Sequence, residues 1–93
     1  MKTYSEFLEV VNSKIALYSQ IPERHFSVEG QKVYELYKAI EFLICFASNA
    51  SELLAMMNDD EDVATASKYT DAEYKKICRC LERLANEEAA SAA

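Results

Sequence analysis

The chain is poor in the residues that make turns and sheets. Among its 93 residues are one Gly, one Pro and no Trp. Hairpins and short-stranded sheets consume Gly and Pro, so their scarcity excludes a β-rich fold, while abundant Ala, Leu, Glu and Lys favour helix. There is a single histidine, His25, in the segment "SQIPERHF". Only Glu23 stands close enough in sequence to orient it, so His25 is expected to be an exposed loop residue and not a general base. No basic, apolar leader opens the chain, and the three cysteines, Cys45, Cys78 and Cys80, are an odd number for a disulfide framework. The expected compartment is the reducing cytoplasm.

Basic residues are also missing from one long stretch. Between Ala39 and Ser67 there are six acids (Glu41, Glu52, Asp59, Asp60, Glu61, Asp62) and no Lys or Arg, so this segment accounts for the whole net charge of −6. The other residues hold ten acids and ten bases. Nucleic-acid affinity is built largely from Lys and Arg on phosphates, which disfavours nucleic acid as a partner and favours a protein with a basic surface. The same region contains the most apolar window, "AIEFLICFASNASELLAMM". Glu41 and Glu52 interrupt it, and a charge in mid-bilayer costs about 2.5 kcal/mol or more, so a buried helix is expected and no membrane span.

Apolar spacing places the helices. Thr3 and Glu6 match a T-x-x-E capping box, and Tyr4, Phe7, Leu8, Val11, Ile15 and Tyr18 then recur at three and four residues, which predicts a first helix from Tyr4 to about Ser19. Pro22 ends it. A second helix is expected after Ser27, a suitable N-cap, running to about Met57, roughly 45 Å at 1.5 Å per residue. Its apolar arc covers more than half its circumference and must be covered from two sides. The cluster "SNAS" at 48–51 is the one place where it would kink or break. Thr70 and Glu73 form a second T-x-x-E pattern ahead of a third helix with the apolar stripe Tyr74, Ile77, Cys78, Leu81, Leu84, Ala85. The small-residue end, about 87–93, is expected to fray. The fold expected is all-α: one domain over 1–93, a small antiparallel three-helix bundle with a long central helix and a short extra helix before the last. Surplus apolar surface near Phe42, Phe46, Leu53 and Met56 would be covered by "VATASKY" (63–69) or by a second copy of the chain, a homodimer.

The sharpest local feature is "LLAMMNDDED" (53–62), four consecutive acids behind two leucines and two methionines. As a calcium loop starting at Asn58 it fails at both geometric anchors: Val63 stands where the turn needs Gly, and Tyr69 where a bidentate Glu is needed. Carboxylates are disfavoured at a helix C-terminus and favoured in a first turn. The acids are therefore expected to start a following short helix, with Asp59 or Asp60 as N-cap and Glu61 and Asp62 in its first turn. Alternatively or in addition, Asp59, Asp60, Glu61 and Asp62 would steer a basic partner while Met56 and Met57 supply adaptable apolar contact.

No other constellation carries chemistry. Lys75, Lys76, Arg79 and Arg83 fall within about a quarter turn on the third helix, a solvated basic face that would otherwise touch nucleic acid or a dimer mate. Cys78 and Cys80 are two apart and cannot both face one metal from a helix, so Cys78 is expected in the core and Cys80 exposed or at an interface. "NAS" at Asn49 fits the glycosylation pattern but lies in a helical segment of a chain expected in the cytoplasm, so glycosylation is not expected. No phosphate loop, nucleophile elbow or metal box is present, so neither cofactor nor catalysis is expected. The sequence points to a small acidic helical protein that acts by binding another protein, as an inhibitor or adaptor, in the manner of phage or plasmid antagonists of host or defence complexes. The alternative is a dimeric helical regulator that contacts nucleic acid through Lys75, Lys76, Arg79 and Arg83.

Overall fold

Four of the helix starts are fixed by one short side chain reaching the amide three residues on. Thr3 accepts from Glu6 N at 3.1 Å, Ser27 from Gly30 N at 2.9 Å, Asn49 from Glu52 N at 2.9 Å and Asp60 from Val63 N at 2.9 Å. Each satisfies one of the amides that a helix N-terminus leaves without an internal partner. In the computed structural model, which describes residues 3–22 and 27–92, these caps open α1 (Tyr4–Ser19), α2 (Val28–Ile44), α3 (Ala50–Asp59) and α4 (Glu61–Ser67). The last helix is α5 (Asp71–Ala92). Among the described residues there is no strand, and no helix is long and apolar enough to cross a membrane. His25 and Glu23 lie outside the described residues.

Every helix contributes to one core. Phe7, Val11 and Ile15 come from α1 at intervals of four, Leu36, Tyr37, Ile40 and Leu43 from α2, Ala50, Leu53 and Met57 from α3, Val63 and Ala66 from α4, and Ile77, Leu81 and Leu84 from α5. The i, i+3, i+4 spacing of these buried positions is what puts them on one side of each helix. Packing is most extensive between α3 and α5, then between α2 and α4 and between α1 and α2. The body is elongated, 49 × 23 × 22 Å.

The long central helix expected over 28–57 is instead two helices. Its last turn tightens, with Phe46 N bonding to Leu43 O at 2.9 Å and Cys45 N to Phe42 O at 3.3 Å. Asn49 then turns fully extended (φ −159, ψ 177) to cap α3, and Glu52 reaches back to accept from Ser48 N at 3.1 Å. The pair Asn49-x-x-Glu52 therefore acts as a capping box set inside an apolar run, and local polar bonding outweighs the continuous stripe. A partner from far along the chain completes the corner. Glu88 of α5 accepts from Ala50 N at 3.0 Å and from Ser51 N at 3.2 Å. The first three amides of α3 are thus all bonded to side chains, and a carboxylate sits at the positive end of the helix.

Two further expectations are corrected. The T-x-x-E pattern at Thr70 does not act as a capping box, because the buried Thr70 hydroxyl donates to Ala66 O at 2.8 Å and Glu73 accepts from the Tyr37 hydroxyl. Those bonds tie α5 to α4 and to α2. α5 runs through Ala92, and Glu88 joins its last turns to α3. Cys78 and Cys80 are both half-buried against the core, so Cys80 is less exposed than its spacing suggested.

The Tyr37–Glu73 contact carries a pH dependence. Burial, then the bond to Glu73 and its negative charge, push the Tyr37 phenol well above the ordinary 10.0. The unfolded chain therefore loses this proton first, so stability is complete below pH 10 and falls as the pH climbs above it. Tyr37→Phe is expected to flatten that decline, leaving a residue from Tyr4 and Tyr74, which burial also raises. Urea midpoints measured at pH 9 and pH 10.5 check this; an identical decline in wild type and variant would contradict it.

Candidate functional site

The expected interaction surface is resolved into buried and exposed parts. Met57 is only 1% exposed, four residues after Leu53 on the inward stripe of α3, so it belongs to the core and is removed from the contact surface. Met56 is half-buried and packs on the core edge. The acids fall where the sequence placed them. Asp60 closes α3 and caps α4, its carboxylate taking Val63 N, while Glu61 and Asp62 occupy the exposed first turn of α4 and Asp59 is exposed at the end of α3. Among the described residues none of the four takes part in an ion pair.

What lies beside the acids is a groove between α2 and α4. It encloses about 580 Å³, is lined on the α2 side by Tyr34, Glu35, Lys38, Ala39 and Phe42 among others, and on the α4 side by Asp60, Asp62, Thr65 and Ala66. The small side chains of Ala39 and Ala66 are part of its lining. The volume is in the range of ordinary ligand and side-chain pockets. The two lysines on its α2 wall are already engaged, Lys32 with Glu35 at 3.1 Å and Lys38 with Glu41 at 3.0 Å. Lys32 also lies 5.2 Å from the centre of the Tyr69 ring. Asp60 and Asp62 line the groove, and Asp59 and Glu61 do not.

Phe42 also leads out of the groove. Phe42 and Phe46 are each 63% exposed and meet edge to face, ring centres 5.4 Å apart. With aromatic side chains burying 150–250 Å² when covered, the pair holds roughly 250 Å² of uncovered ring surface. Of the surplus apolar residues named from sequence, Leu53 is covered by the fold, Met56 is partly covered, and Phe42 and Phe46 are not. α4 packs on α2 as expected of "VATASKY", but it leaves these two rings in solvent.

The basic stripe lies on α5. Lys75, Lys76, Arg79 and Arg83 are all exposed, but Lys75 pairs with Asp71 at 2.9 Å and Arg83 with Glu87 at 3.5 Å on the same helix. Local acids thus draw on two of the four cations. Among the described residues no group of three or more His, Cys, Asp or Glu is placed to hold a metal ion. Burial pushes the Cys78 thiol up, against a smaller lowering effect from Tyr74, which leaves it as protonated thiol at neutral pH.

No protein-family model matches the chain, and no curated protein or solved structure does either.

Proposed function

We propose that this is a non-enzymatic binding protein, an inhibitor or adaptor that acts by docking a protein with a basic surface. The observation that carries the reading is the juxtaposition of Phe42, one ring of an uncovered aromatic pair with Phe46, and the carboxylates of Asp60 and Asp62, which have no ion-pair partner among the described residues. Exposed aromatic surface supplies affinity, and unpaired carboxylates supply steering and partner choice. In this reading the antiparallel helical bundle is the frame, α3 and α4 continue its broken central helix, Asp60 and Asp62 stand beside Phe42 in the groove, and Asp59, Glu61 and Met56 add to the contact from the neighbouring turns of α3 and α4. The reading in which Lys75, Lys76, Arg79 and Arg83 touch nucleic acid ranks below it, because Asp71 and Glu87 compete for two of those cations and the chain is acidic.

The test combines Asp59→Asn, Asp60→Asn, Glu61→Gln and Asp62→Asn. Asn is as good an N-cap as Asp, so α4 keeps its start. Capture from native lysate at 50 mM and 300 mM salt, read by mass spectrometry, is expected to show a basic protein retained by the wild type. At low salt the variant should bind it about tenfold more weakly, as four partly screened charges of a few tenths of a kcal/mol each would give. Equal retention by wild type and variant would refute the charge-guided reading.

A further inference from the structure

We propose that the groove between α2 and α4 is the seat of an amphipathic, basic helix of the partner protein, with an apolar side chain of that helix entering beside Phe42. The proposal rests on the protein-binding reading above and names the element the partner supplies.

Three observations select this occupant. The groove is bounded by two helices and has the small Ala39 and Ala66 in its lining, a shape that takes the side chains of a third helix at i, i+3, i+4 and i+7. Its apolar end, Phe42 with Phe46, is where such a helix would bury its apolar face. Its two walls differ in charge: Lys32 and Lys38 on the α2 wall are paired with Glu35 and Glu41, whereas among the described residues Asp60 and Asp62 on the α4 wall have no ion-pair partner. Lys or Arg on the flanks of an incoming helix would meet those two carboxylates.

The same charges argue against a second copy of the chain on this face. A twofold contact centred on Phe42 and Phe46 sets the same surface against itself; both rings lie in the segment that holds −6, and Lys32 and Lys38 beside Phe42 are already paired with Glu35 and Glu41. They also argue against an anionic membrane, which the acid run repels.

The probe is a fluorescein-labelled 18-residue peptide with leucines at i, i+3, i+4 and i+7 and lysines elsewhere, compared with a shuffled peptide of the same composition that lacks the period. Anisotropy on the full chain is expected to show binding at least tenfold tighter for the amphipathic peptide, and amide shifts are expected to concentrate along α2 and α4. Phe42→Ala, at an exposed position, should keep the helical circular dichroism and weaken binding at least tenfold. Equal binding of both peptides, indifferent to Phe42→Ala, would overturn the groove while leaving a charge-guided partner intact. Failure of both peptides to bind would overturn both readings. A dimeric mass by light scattering that Phe42→Asp converts to monomer would assign the face to a second copy and overturn the proposal.

Discussion

Leu53→Ala is expected to lower the free energy of unfolding by about 2–5 kcal/mol, the range for truncating a fully buried leucine. Leu53 is 0% exposed on α3, the helix that packs most extensively on α5, and α3 is only 10 residues long. A helix that short is not stable in isolation, so it persists only through the face it buries. Domains of this size have roughly 5–15 kcal/mol in total, and each kcal/mol corresponds to about 4–8 °C in Tm. A fall of at least about 10 °C follows, measured by thermal and urea unfolding. Leu17→Ala is the control: Leu17 is 56% exposed on α1, and its truncation should change stability by no more than about 0.5 kcal/mol. Comparable losses for the two variants would contradict the packing described.

What could be read from sequence was local. Thr3, Ser27 and Asp60 sit directly before apolar periodicity, and a side chain that bonds an amide three residues on acts the same way wherever the chain goes. The short helix opened by the acids was legible for that reason, as was the first helix to the residue. Misreadings arose where two local signals competed. The apolar stripe through 39–57 predicted one helix while Asn49 and Glu52 encoded a new start within it, and the box prevailed because its bonds close within four residues. At Thr70 the pattern was present, but both side chains had better partners in Ala66 and Tyr37, one a turn back and one on α2. The candidate site was half legible. Phe42 and Phe46 stood out as surplus apolar surface, yet which of the surplus residues would be covered depends on where α4 lies, and no spacing encodes that. Met57 could be removed from the surface only once the inward stripe of α3 was known.

Glu88→Ala is expected to cost about 2–3 kcal/mol, far more than an ordinary substitution near a chain end. Each Glu88 oxygen serves a different amide, Oε2 taking Ala50 N and Oε1 taking Ser51 N, and bonds to a charged acceptor contribute about 1.5–3 kcal/mol. Exposure of part of this corner keeps the sum well below twice that figure, since Ser51 N can turn to water while Ala50, fully buried, has less recourse. Glu88→Gln separates charge from geometry. Its single amide oxygen can serve one of the two donors and brings no negative charge to the helix N-terminus, so an intermediate loss of about 1–2 kcal/mol is expected. Glu87→Ala is the neighbouring control: Glu87 is half exposed and pairs with Arg83 on its own helix, an arrangement worth about 0.3–0.5 kcal/mol. Amide exchange provides the readout that distinguishes a tether from a generic helix effect. Loss of the Glu88 carboxylate should deprotect the start of α3 and the end of α5 together, because one side chain joins them across 38 residues of sequence. Deprotection confined to the end of α5 would mean that Glu88 stabilises its own helix and that α3 is capped adequately by Asn49 alone.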